Sequence, residues 1–127
     1  MRPRFAAVLT AAGVFLFASG LALAHHGTAA YDTKNIVTVK GTVVDFRYVN
    51  PHVQVSFEVK NEKGEIETWE SRLTAPTKLS RAGWDKNTLK PGDPITASGY
   101  VAKNDPHNLW ITKLIGPSGE ELRLNEE

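Results

Sequence analysis

HVQVSFEVK, residues 52–60, is the stretch on which the fold turns. Val53, Val55, Phe57 and Val59 fall on one side of a two-residue repeat, and His52, Gln54, Ser56 and Glu58 fall on the other. Such a period belongs to a strand with one face in a core and the other in water. Toward the N-terminus, IVTVKGTVVDFRYV (36–49) is dense in β-branched and aromatic residues. It predicts a long first strand, with Gly41 as a bulge or bend of the kind a small barrel needs to curl. Toward the C-terminus, Asn61-Glu62-Lys63-Gly64 is a polar turn ending in glycine, so residues 65–73 are expected to return as a third strand carrying Trp69.

The rhythm then changes. Residues 75–82 predict a short helix, with Thr74 as N-cap, Pro76 in the first turn, Leu79 as the apolar contact and Gly83 as the stop. Trp84, just beyond, would pack the helix down as a plug. Lys90-Pro91-Gly92-Asp93 turns into a fourth strand at 95–102, and a polar loop over 103–108 leads to a fifth at 109–115. Residues 116–119 turn into a short final segment, 121–124. Three strands, a short helix and two more strands is the element order of an OB-fold. The fold class expected is all-β with one short helix, a small OB-like Greek-key barrel over residues 36–127, preceded by a flexible segment at 25–35. Other small barrels and sandwiches are the alternatives.

The first 24 residues read as a cleavable signal peptide. Arg2 and Arg4 supply a positive start, Phe5 to Ala18 an apolar run, and Ala22-Leu23-Ala24 the small residues a signal peptidase needs. An uncleaved anchor is the competing reading, because about twenty apolar residues can span a bilayer; Ser19-Gly20 interrupts this run. The predicted location is the periplasm or the outside of the cell, with no membrane association after processing. The absence of cysteine excludes disulfides, thiolate metal sites, a cysteine nucleophile and lipid attachment at a cysteine. Losing Arg2 and Arg4 takes the formal charge from +1 to −1. That near-neutral balance predicts no nucleic-acid partner, since such binding relies on clustered Lys and Arg. Nucleotide-binding, zinc-protease and serine-hydrolase motifs are all missing from the sequence, and Glu58, Glu67 and Glu70 read as solvated strand residues. The chain is not expected to be an enzyme.

Four histidines carry the sharpest chemical signal. Cleavage after Ala24 exposes His25-His26-Gly27, where a free α-amine and two imidazoles could chelate one ion. Asn50-Pro51-His52 and Asp105-Pro106-His107 each place a histidine after a stiffening proline, in loops expected to flank one side of an OB barrel. His25, His26, His52 and His107 thus form a candidate set for Cu(II) or Zn(II), with Cu(II) favoured by the usual affinity order. Read blandly, they are an exposed terminus and two turn residues. A separate hypothesis uses Trp69, Trp84, Trp110, Tyr48 and Tyr100 as an aromatic groove for a peptide or glycan, with no metal. Against it, large aromatics in so small a domain usually form its core. Nothing in the sequence bears on oligomeric state.

Taken together, the leader followed by His25-His26, Lys40-Gly41-Thr42-Val43, Asn50-Pro51-His52, Trp69, Gly83-Trp84 and Lys90-Pro91-Gly92-Asp93 resemble a family of small exported bacterial proteins, domain of unknown function 6152. The likeness covers essentially all of the chain after the leader. It implies export and a single β-rich domain, and it implies no activity, cofactor or site residue.

Overall fold

Alternation in the sequence becomes alternation in burial. In the computed structural model, which describes residues 27–125, Val53, Val55 and Phe57 are fully buried while Gln54 and Ser56 are half-exposed. Gln54, Val55, Ser56 and Phe57 belong to β2 (Gln54–Lys60), which pairs antiparallel with β1 (Val37–Arg47) and with β3 (Ile66–Arg72). The predicted signal peptide, His25 and His26 lie outside the described residues. The barrel lies in the unit that begins at Tyr31.

After β3 come α1 (Pro76–Arg81), β4 (Pro94–Ala102), β5 (Asp105–Ile115) and β6 (Glu121–Leu122). The sheet runs β3-β2-β1-β4-β5-β6, and a parallel pairing of β3 with β5 closes it. The result is a closed five-stranded barrel with one short helix, OB-like, with β6 added outside the closure on β5. Phe57, Leu109, Leu114, Val43, Val53 and Val55 fill its centre with essentially no exposure. Fully burying side chains of this size stabilises a fold by roughly 1.5–3 kcal/mol each.

β1 serves two neighbours: residues 37–42 pair with β4, and residues 42–47 pair with β2. Gly41 sits where the strand passes from one to the other, and a Cβ there would meet the Glu58 carbonyl and the Phe57 ring at 2.6 and 2.7 Å. The bulge itself falls between Val43 and Asp45 rather than at Gly41, and it turns Val44 into solvent. Glycine at 41 is required by close approach, and the kink follows next door.

The helix starts one residue later than its predicted cap. Ala75, in extended conformation with ψ 151°, is the N-cap, and no side chain bonds the free amides. Proline at 76 explains this, because it forces the residue before it out of the helical region and itself needs no N–H partner at the first turn. Leu79 is the helix's buried contact, and Gly83 ends it at φ +96°. Tyr48 donates its hydroxyl to the Pro76 carbonyl at 2.8 Å and lies 2.8 Å from the Ser80 hydroxyl, clamping the helix to the end of β1.

The largest departure concerns the polar loop expected at 103–108. Ala102 already pairs with Asp105, so the connection is a two-residue hairpin at Lys103-Asn104 and β5 begins at Asp105. Asp105-Pro106-His107 is therefore strand, not loop. At the other end of the domain, Tyr31 is buried, bridges to Ala102, and is followed by an Asp32 amide bond to the Val101 carbonyl at 2.8 Å. Within the predicted 25–35 segment, Tyr31 and Asp32 are thus tied to β4.

Candidate ligand face along the strand 3 and strand 5 seam

Parity assigns the outer surface. Trp69 and Ser71 on β3, and Leu109 and Ile111 on β5, point inward and are buried. Glu70 and Arg72, and Asn108 and Trp110, must then point outward. The parallel register sets Glu70 opposite Asn108 and Arg72 opposite Trp110. Gln54, opposite Arg72 on β2, completes a row across three strands.

Two concavities lie along this seam. The smaller, about 170 Å³, is lined by Gln54, Glu70, Ser71, Arg72 and Asn108. The larger, about 390 Å³, is bounded by Thr74, Lys78, Trp110, Thr112, Leu124 and Asn125, among others. Asn108 lines one and Trp110 the other, two positions apart on the same face of β5. Trp110 is half-buried, with Tyr31 edge-on at 5.7 Å and His52 edge-on at 5.2 Å between ring centroids. Side-chain bonds fix the neighbours: Tyr31 donates its hydroxyl to Asn108 Oδ1 at 3.1 Å, and Ser56 donates to Glu70 Oε2 at 2.6 Å.

The aromatic residues singled out in the sequence therefore divide. Trp69 stacks on Phe57 at 6.2 Å within the core. Trp84 is buried and donates its indole N–H to the Arg123 carbonyl at 2.7 Å, and Tyr48 holds the helix. These three are structural, which corrects their place in a groove. Trp110 and its cross-strand neighbour Tyr100 are on the outer face of β4 and β5. Tyr31 and His52 join them there. Sequence reasoning missed Tyr31, whose one signal was a lone aromatic in an otherwise small and polar terminal stretch.

His52 and His107 do not share a partner. His52 contacts Trp110 on the outer side of β5. His107 has the parity of Leu109 and Ile111, lies 5.1 Å from the Trp69 ring, and pairs through Nε2 with Glu67 at 3.2 Å. Among the described residues, no group of three or more His, Asp or Glu is placed to hold a metal ion. Around His107 the chemistry is that of one hydrogen-bonded carboxylate. Asn61 donates its amide to Glu67 Oε1 at 3.0 Å. That bond above all holds the Glu67 carboxyl below its ordinary value of 4.5, with smaller help from His107 and from the Trp69 indole N–H, while desolvation works against them. The Trp69 N–H itself is buried with no hydrogen bond of good geometry among the described residues.

Several solved structures are similar to this chain in fold. A TiaS complex with a transfer RNA, AMPCPP and agmatine matches at TM-score 0.45 and 18% identity, over 67% of this chain and 19% of that one. A ZRD-deleted TiaS mutant bound to agmatine matches at TM-score 0.44 and 15% identity, over 76% of this chain and 24% of that one. A small single-stranded DNA-binding protein from Streptomyces coelicolor matches at TM-score 0.42 and 11% identity, over 63% of this chain and 88% of that one. This chain thus spans a quarter or less of the length of these TiaS chains. The exclusion of nucleic acid drawn from net charge does not stand, because contacts with single strands depend on a local groove and stacking rings rather than on total charge. No curated protein matches the chain. The profile of one family matches residues 14–109, most of the sequence, and the chain belongs to that family of unknown function, DUF6152.

Proposed function

We propose that the protein is an exported binding module that holds a short oligosaccharide along the seam of β3 and β5. The observation that carries this reading is Trp110: a half-exposed indole on the outer face, set between two concavities and flanked by planar polar side chains. Indole gives a sugar ring a flat apolar surface, while Gln54, Asn108, Glu70 and Arg72 offer paired donors and acceptors for its hydroxyls. The position also agrees with general use of the fold, since OB barrels take oligosaccharides and oligonucleotides on the face of strands 2 and 3 beside the loop joining strands 1 and 2. His52 comes from that loop.

Titration of the purified protein with neutral and acidic oligosaccharides, followed by tryptophan fluorescence, tests the reading. Binding is expected for at least one sugar, weakened about thirty-fold by Trp110→Ala, as for truncation of an aromatic anchor. A single-stranded oligonucleotide is the competing probe. Binding of the oligonucleotide and of no sugar, or sugar binding indifferent to Trp110→Ala, contradicts the proposal.

A further inference from the structure

The smaller concavity is not neutral in its hydrogen-bonding character. Arg72 is exposed, and among the described residues its guanidinium makes no hydrogen bond or ion pair. Asn108 has its carbonyl oxygen occupied by Tyr31, which leaves its amide NH₂ to donate. Glu70, the one anionic group lining the space, already accepts from Ser56. Donors therefore outnumber free acceptors around about 170 Å³ of open space. Guanidinium is a rigid fork of N–H groups whose geometry matches the two oxygens of a carboxylate. The Cα partner of Arg72 across the parallel pairing is Trp110, so a sugar lying on the indole would bring a ring substituent to the guanidinium.

We infer that the concavity at Gln54, Arg72 and Asn108 is a subsite for a carboxylate carried by the sugar, with Arg72 as its bidentate partner and Asn108 as an added donor. The inference rests on the oligosaccharide reading and narrows it to acidic sugars. A phosphate group offers similar oxygens, so the probes must separate the two sources.

Calorimetric titration with trigalacturonic acid, its uncharged methyl ester and oligothymidylate makes the separation. The acid is expected to bind roughly ten-fold more tightly than the ester, the scale of one charge-assisted pair. Arg72→Gln should weaken the acid more than the ester and bring the two to equal affinity; Arg72→Lys should restore part of the difference. Because Arg72 is exposed, the thermal midpoint of each variant should match that of the parent and verify folding. Equal binding of acid and ester, or a preference that survives Arg72→Gln, overturns the subsite while leaving the oligosaccharide reading intact. Tighter, Arg72-dependent binding of oligothymidylate assigns the subsite to phosphate and overturns the carboxylate. If neither sugar binds, the carboxylate subsite is overturned, and the oligosaccharide reading falls only if the neutral and other acidic oligosaccharides also fail to bind.

Discussion

Asn61 and His107 hold the Glu67 carboxyl between them, and the arrangement sets its acidity. Asn61→Ala should raise the Glu67 titration midpoint toward 4.5, because the Asn61 amide is the largest cause of its lowering; side-chain carbon NMR across acid pH reads this directly. The sign for stability follows from linkage. A depressed carboxyl contributes stability above its ordinary value and loses it as pH falls through the lower folded value, so Asn61→Ala should flatten the acid limb of the stability curve. At Tyr48, the phenylalanine variant loses the bonds to Pro76 and Ser80 and should cost about 1 kcal/mol in urea denaturation. At this scale the sequence misled at its plainest motif. Asn-Pro-His and Asp-Pro-His look alike, yet His52 ends a loop and His107 lies within a strand. The difference is made by the pairing of Ala102 with Asp105, a contact that the polar letters of 103–108 do not announce.

Strands were legible wherever one face was buried, because period-2 alternation follows directly from burial; β2 is the clearest case. The parallel pairing of β3 with β5 was not, since it joins residues far apart in sequence and leaves no local pattern. That pairing creates the candidate site. Gly99 marks how tightly β4 and β5 approach beside it: a Cβ there would run into the Trp110 carbonyl, at the bulge between Ser98 and Gly99. Gly99→Ala should destabilise the barrel by about 3 kcal/mol, an overpacking cost, and should also weaken ligand binding by displacing Trp110. Gly83→Ala is the contrasting case, with open space but φ +96°. It should cost only about 1 kcal/mol, from left-handed backbone strain, and leave binding unchanged. Denaturant melts of the two variants, with sugar titrations alongside, check both.

For the molecule as a whole, element order and hydrophobic spacing carried the barrel, while total charge was a poor guide to partners. Partner choice on such a barrel depends on which few groups line one seam, and a near-neutral total says nothing of Arg72 beside Trp110. Phe57→Ala should cost about 3–5 kcal/mol, as expected for a fully buried ring at the centre of a single core; a urea melt measures it. Processing belongs to the same scale: if the leader is cleaved as the sequence predicts, mass spectrometry of the protein recovered from the periplasm or the medium should find His25 as the first residue. The ligand face is tested most directly by amide and indole NMR of the processed protein titrated with trigalacturonic acid. Shifts should gather at Gln54, Arg72, Asn108 and the Trp110 indole, with the Trp69 and Trp84 signals unmoved. Shifts confined to the Glu67 and His107 end, or none at saturating sugar, would contradict it.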